Sequence, residues 1–476
     1  MAVALAPAGA ERQLGLCTLW IALVLGAVLA GYAIAAGLTY LGGLAGVLLG
    51  VLVLLIAAIR PHLSLCLTAL AIGCSPTFFF PFPQATVLTV ARLAVMVALV
   101  GWAARALIAR ELRCPPLATG LAVSAWLLAA VLSMLAAANL DASLKGLGAF
   151  AIAVAILLLA VDQLRKEEHL RSLAYALSAV LAINCAVTIF SGGYSVHTEE
   201  GLLRYGGLRD VNSTGYLVSM LAPMAFFLLW DRATRWPAKV FLFGLLPAFV
   251  VTLLLTVSRG AFLAALAMGM VALWRWPGRG RGLLLAGAGI ALAVTLVNLS
   301  GTSYLRRMNS LVIASDRDEN IINRRVAWVA ALDMARTHPL TGVGVGSFRY
   351  ELAEYTQRLG YTLDLMVAHE GYLEAAAETG VLGLCAFLGM WIASAVAIAR
   401  ARRGLRKADQ ERSFTALFIS AVECGLVVAA VQNLFMSAHT RELLWLYFGL
   451  AAVCLRLSTS ELVIPPAQTH AGAART

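Results

Sequence analysis

Charge is the scarcest thing in this chain. Of its 476 residues only 13% are Asp, Glu, Lys or Arg, while 61% are hydrophobic. A water-soluble domain carries about a quarter charged residues, so the composition excludes an ordinary soluble fold. Cysteine has no pattern: the residues at 17, 66, 74, 114, 185, 385, 424 and 454 form no CxxC and lie in or beside apolar stretches. That excludes a disulfide framework and a thiolate metal site. The seven histidines include no HxH or HxxxH pair, so neither a metal nor another cofactor is expected. "MAVALAPAGAERQ" carries Glu11 and leads straight into an apolar run, which reads as a retained anchor instead of a cleaved signal. No internal repeat is visible. The net charge is +11, but in so apolar a chain it bears on orientation in a bilayer, and no nucleic-acid partner is expected.

What the chain has in abundance is apolar runs of about 20 residues, each able to cross about 30 Å of hydrocarbon. They read as 14 candidates, at 15–37, 39–59, 62–80, 86–108, 116–137, 145–162, 168–190, 213–231, 238–257, 260–275, 282–299, 379–400, 412–436 and 440–457. Abutting runs before residue 110 and the short run 260–275 leave 12 as the other count. Backbone polar groups must be satisfied inside a bilayer, and these runs are too long for barrel strands. The expected fold is therefore all-α: a polytopic membrane protein with about 12, up to 14, transmembrane helices and a large helical periplasmic loop. Three regions follow: an N-terminal bundle at 1–299, the loop at 300–378, and C-terminal helices with a short cytoplasmic tail at 379–476. "ARALIARELR", "DQLRKEEHLR", "DRATRWPAK", "WRWPGRGRG" and "RARRGLRKADQER" fall on alternate connections, which places them in the cytoplasm. The opposite face, the periplasm in a bacterium, then holds 191–212, 300–378 and the break "TVSRG" at 256–260.

The 300–378 segment is too long for a mere connector. Ser315 and Asp318 read as a capping box opening a helix that Pro339 ends near His338. "TGVGVGSF" reads as a glycine turn, a second helix follows to about Gly360, and helix resumes near Leu365, carrying His369, Glu370, Glu374 and Glu378. These helices would lie along the membrane surface. The outer face also gathers Arg204, Arg209, Arg306, Arg307, Arg324, Arg325, Arg336, Arg349 and Arg358, with Arg259 at the break. Positive charge on the translocated side runs against the topological bias. A phosphate-bearing ligand would compensate it, because arginine binds phosphate through a planar fork; ion pairs with Glu351, Glu354, Asp364 and the glutamates near His369 are the alternative. An ionisable group at a break between spans, as Arg259 is, is a functional hypothesis in itself. Of the histidines on this face, His338 suits a helix C-terminus. His369 lies beside acids that would orient it and raise its pKa.

At this point the residues resemble a known family. "THPLTGVGVGSF" (337–348) is similar to the P-x-x-G-x-G element of the O-antigen ligase and polymerase superfamily. His369 with Gly380 and Gly383 resembles its H-[N/S/Q]-x9-G-x-x-G pattern, "TVSRGAFLA" (256–264) its S-R-G break, and "RYGGLRDVN" (204–212) its R-x-x-G-x-x-x-x-N loop. Two departures stand out: Glu370 replaces Asn, Ser or Gln, and "DVN" replaces N-P-N. The resemblance implies an enzyme of the bacterial inner membrane, an O-antigen ligase acting at the periplasmic face. It would move a polysaccharide from undecaprenyl pyrophosphate to a sugar hydroxyl of lipid A-core, with membrane lipids around it. His369 would be the catalytic base, and Arg204, Arg259, Arg324, Arg325 and His338 would bind substrate. Pyrophosphate is a good leaving group that arginines can stabilise, so no metal is required, and direct attack would invert the anomeric centre.

Other functions compete. The spacings Arg204 to Gly215 and Arg349 to Gly360 match the R-x10-G motifs described for O-antigen polymerases, and a protein O-oligosaccharyltransferase is a further enzyme alternative. A lipid-linked oligosaccharide transporter would use Glu423, Gln432 and Asn433 within one span as a path; a polar contact buried in the bundle is the preferred reading of those residues.

Overall fold

The structure, a computed structural model, describes residues 60–74, 94–96, 98–103, 113–191, 194–197, 203–275, 319–363 and 365–460. Their helices are α1 (Pro61–Cys74), α2 (Leu117–Ser133), α3 (Leu140–Gln163), α4 (Glu167–Ala186), α5 (Val211–Leu229), α6 (Trp236–Thr256), α7 (Arg259–Arg275), α8 (Glu319–Thr337), α9 (Phe348–Gln357), α10 (Gly371–Lys407), α11 (Phe414–Asn433) and α12 (Glu442–Ser460). The protein is an all-α polytopic membrane protein. Eight of the described helices are long and apolar enough to cross a membrane. The runs expected at 15–37, 39–59 and 282–299, most of 86–108, the 75–80 end of 62–80, the capping box at Ser315 and Asp318, and Arg306, Arg307 and Asp364 lie outside the described residues. The other expected runs each appear as helix. The 260–275 run becomes the 17-residue α7, about 25 Å long at 1.5 Å per residue.

Local chemistry sets the ends. Asn139 caps α3 by accepting from Ala142 N–H at 3.0 Å, and Ser413 caps α11 by accepting from Ala416 N–H at 3.2 Å. One element was not expected: the 191–212 connection contains an antiparallel hairpin, β1 (Tyr194–His197) with β2 (Leu203–Gly207), pairing Val196 with Arg204. The core is aromatic where α2, α3, α10 and α12 meet. Trp126 lies 5.3 Å from Phe150 and 5.2 Å from Phe387 between ring centroids, and Phe150 meets Trp445 edge-on at 4.9 Å. Offset and edge-on contacts of this kind contribute about 0.5–1.5 kcal/mol each beyond burial.

Three of the expected basic connections, 162–171, 231–239 and 400–412, meet at one end of the bundle; most of 104–113 and 274–282 lies outside the described residues. Arg171 of α4 pairs with Asp231 after α5 at 2.9 Å and lies over the Phe414 ring of α11 at 4.3 Å, and Thr415 donates to Glu167 at 3.2 Å. Deeper, Arg275 of α7 forks onto Glu423 of α11 at 2.6 and 2.8 Å, and Arg402 of α10 joins the same carboxylate at 2.5 Å. The half-buried Glu423 carboxylate thus stands in an ion cluster with two arginines.

At the other end α10 is broken. It was expected to begin near residue 379, with a separate helix carrying His369. Instead one helix runs from Gly371 to Lys407, interrupted at Gly380, whose φ is +65° and ψ −167°. His369 stands ahead of it. A break frees carbonyls and amides that water cannot reach, so protein must satisfy them. The 339–344 turn does so: Val343 N–H donates to Ala377 C=O at 2.9 Å, Gly344 N–H to Glu378 C=O at 3.0 Å, and Val381 N–H to Pro339 C=O at 2.8 Å. Beyond it, Val345 N–H donates to Ser133 Oγ at 3.0 Å and Ser347 Oγ meets Ser143 Oγ at 2.9 Å. The glycine turn is therefore wedged between α2, α3 and α10 and does not lie on the surface.

The close fit leaves no room for a β-carbon. One at Gly342, where φ is +66°, would come within 2.3 Å of the Glu378 backbone, whereas Gly360, with φ +77°, faces open space. Gly342→Ala is expected to destabilise the protein by roughly 2–5 kcal/mol, from left-handed strain plus overpacking. Gly360→Ala should cost only the strain, about 1–2 kcal/mol. Thermal unfolding of the two variants in detergent checks the difference; equal losses would refute the splice.

Candidate active site

The segment ahead of α10 is held from both sides. Trp328 of α8 donates its indole N–H to Ala368 C=O at 2.9 Å, and Ala368 N–H donates to Glu374 Oε2 at 2.8 Å. Glu370 is the N-cap of α10, its carboxylate accepting from Leu373 N–H. This explains the first departure from the resembled pattern: the position after the histidine is a helix cap, where Asn and Ser are favoured and where a carboxylate oxygen accepts the same bond. Between these anchors His369 adopts φ +54°. The left-handed region costs a residue with a side chain about 1–2 kcal/mol, so the surrounding contacts must hold it there.

The acids beside His369 in sequence do not raise its pKa. Glu370 turns to its cap, and Glu374 and Glu378 turn inward. Burial, and next the positive charge of Arg324 on α8, push the His369 imidazole down to about 4, with Asp210 acting in the opposite sense. The ring is half-buried and unprotonated at neutral pH, with a free lone pair to accept a proton.

Strand β2, the start of α5 and the α6–α7 break interlock. Arg204 of β2 donates to Thr256 C=O and to Asn212 Oδ1, both at 2.9 Å, and Ser258 Oγ lies 3.1 Å from the same Asn212 oxygen. Asp210 caps α5 by accepting from Asn212 N–H and Ser213 N–H. Val257, the C-cap of α6, takes φ +47°, and the half-buried Arg259 opens α7 two residues later. The α6–α7 break, like the approach to α10 at His369, thus holds a side-chain-bearing residue left-handed.

Of the site residues expected from the sequence, Arg324 lies within electrostatic reach of His369, as does Asp210, the α5 cap that follows β2 with its Arg204, and Arg259 directly follows the Ser258 contact. Arg325 is exposed on α8. His338 stands apart: it follows α8, its N–H donates to Met334 C=O at 3.0 Å, its C=O accepts from Gly342 N–H at 2.9 Å, and its ring lies within electrostatic reach of Glu351. The sequence reading passed over the connection between α11 and α12. Ser437 donates to Glu374, His439 faces Glu378, and Arg441 donates to Ser213 Oγ at 3.2 Å. The signal was the polar stretch "SAHTRE" (437–442) between two apolar runs.

These features define a multi-pass helical membrane protein whose breaks, caps and a neutral histidine converge at one end. Residues 244–388 match the family model Wzy_C, O-antigen ligase. The match is consistent with the O-antigen ligase superfamily and supports a glycosyltransferase of the ligase/polymerase kind. The matched stretch takes in the Ser258–Arg259 break, the glycine turn, His369 and Gly380. No curated protein matches the chain.

Arg324→Gln removes a positive charge that disfavours the imidazolium, so the pKa of His369 must rise towards its ordinary value while burial still holds it below. In an NMR titration of ring-labelled protein the His369 transition should move to higher pH in the variant. An unmoved or lower transition would refute the Arg324–His369 pairing.

Proposed function

We propose that this protein is an O-antigen ligase of the bacterial inner membrane. It transfers a polysaccharide from undecaprenyl pyrophosphate to a sugar hydroxyl of lipid A-core at the periplasmic face. The observation that carries the proposal is a half-buried, unprotonated histidine set beside Arg324, at the end of the bundle where the Arg204 and Ser258–Arg259 breaks interlock. His369 accepts the proton of the acceptor hydroxyl as its oxygen attacks the anomeric carbon. The bond to the pyrophosphate breaks on the opposite side, inverting that carbon. Arg259, with Arg204, Arg324 and Arg325, takes up the negative charge that grows on the departing pyrophosphate. Arginine's fork matches phosphate oxygens in pairs and lysine's point charge does not, so the arginines fill the role a metal would play. His338, held in the turn, contributes less.

Transfer by purified variants in detergent, with lipid-linked donor and lipid A-core acceptor, tests the chemistry. His369→Ala should lose about 10²–10⁴-fold in kcat, the range for a general base, and Arg259→Lys about 10²–10³-fold, while His338→Ala stays within about tenfold of wild type, because it is not placed as the base. EDTA should leave the wild-type rate unchanged. Full activity of Arg259→Lys, a dead His338→Ala beside a normal His369→Ala, or metal-rescued loss in EDTA would overturn the assignment.

Sidedness has its own test. Ser347 is fully buried, so the reporter belongs at the exposed Gln357. A cysteine at Gln357 should react with an impermeant thiol reagent outside spheroplasts, and one at Lys407 should not. The opposite pattern would put the site on the wrong face for lipid A-core.

A further inference from the structure

Glu374 and Glu378 of α10 are 6% and 4% exposed, and His439, between α11 and α12, is 3% exposed. We propose that His439 is a positioning residue for the transfer reaction: through Glu374 and Glu378 it fixes the backbone that presents His369. The reaction, though not the geometry, rests on the ligase reading. His439 Nε2 stands 3.6 Å from Glu378 Oε2, an ion-pair distance too long for a hydrogen bond, and neither ring nitrogen has a hydrogen-bond partner among the described residues. Glu378 Oε1 accepts from Phe348 N–H at 3.3 Å, where α9 begins. One turn earlier, Glu374 Oε2 accepts from Ala368 N–H at 2.8 Å and from the Ser437 hydroxyl. Ala368 directly precedes His369. The 437–439 connection therefore grips the two carboxylates that hold the approach to the base.

Two carboxylates four residues apart on one helix repel when both are ionised, and buried charge without a counter-ion is costly. Protonated, either could turn its O–H elsewhere and drop the amide it holds. An imidazolium at His439 supplies the missing charge. Burial opposes that protonation, but Glu378, Glu374 and Glu370 outweigh it and raise the His439 pKa. Glu374 and Glu378 of α10 and its N-cap Glu370 are, among the described residues, the titratable groups facing the ring. Trp445 of α12 donates only to the His439 carbonyl at 2.9 Å, and Phe387 meets the ring edge-on at 6.4 Å; neither carries charge. The countercharge is present below the raised pKa and is lost as pH climbs through it, so positioning fails on the alkaline side.

Two readouts test this, one independent of activity. Half-buried and unprotonated, His369 should react with diethyl pyrocarbonate, and mass spectrometry follows its rate with His338 as internal reference. His439→Gln should change the His369 rate at least threefold, leave His338 unchanged, and lower kcat at least tenfold with little change in KM. The double variant His439→Gln/Glu378→Gln removes both charges together. It should bring the His369 rate back within twofold of wild type, recover most of kcat, and abolish the alkaline limb that His439 imposes. If His439→Gln does not fold, Ser437→Ala, which removes the hydroxyl from Glu374, should alter the His369 rate in the same sense. A wild-type His369 rate in His439→Gln, or a double variant no better than the single, would overturn the proposal. Wild-type protein without transfer activity would instead sink the ligase reading and leave the labelling result standing.

Discussion

The site depends on the hydrogen bonds that close over the gap in α10. A helix interrupted at Gly380 next to the bilayer exposes polar backbone that neither lipid nor its own next turn can satisfy. The 339–344 turn supplies the missing donors and acceptor, and only glycine fits at Gly342 and Gly380, where a β-carbon would meet backbone atoms within 2.5 Å. Once the turn is docked, the nine residues from Gly371 to Thr379 form a short stub aimed independently of the span below. The stub's cap, Glu370, and its inward carboxylates then hold Ala368, and so His369, in place. The two motifs that looked separate in the sequence, P-x-x-G-x-G and H-x10-G-x-x-G, are the two halves of one joint.

Charge is distributed by the same economy. At one end Arg275, Arg402 and Glu423 form a closed cluster with short contacts. At the other, Arg204 spends its hydrogen bonds on Asn212 and a carbonyl, Arg324 sits beside a neutral histidine, and Glu374 and Glu378 share His439. The first arrangement is complete in itself. The second sets Arg324 within electrostatic reach of His369 and so disfavours the imidazolium.

Much of this was legible in the sequence, for physical reasons. Long apolar runs and alternating basic loops gave the helices and the two ends of the bundle, because hydropathy and positive-inside bias depend on composition and not on contacts. Pro339 marked the end of α8, and the glycines at 342, 344 and 346 announced a turn. What could not be read was direction. Glu370, Glu374 and Glu378 lie close to His369 along the chain, yet the left-handed backbone at His369 turns its ring towards Arg324 and Asp210 while the glutamates face His439, 61 residues beyond Glu378. The pKa of His369 therefore moves down where sequence neighbours suggested up. The hairpin at 194–207 was missed because its strands are four and five residues long, too short for an alternating pattern to register.

The joint at Gly380 also separates what can vary from what cannot. The span from Val381 to Lys407 is committed to the bilayer and to its packing against α2 and α12. The stub beside it is held by the 339–344 turn and, through Glu374 and Glu378, by the 437–439 connection. A change that reshapes either partner would therefore reach the stub, and the Ala368–His369 approach it holds, before it reached the Arg275–Glu423 cluster at the far end of the span.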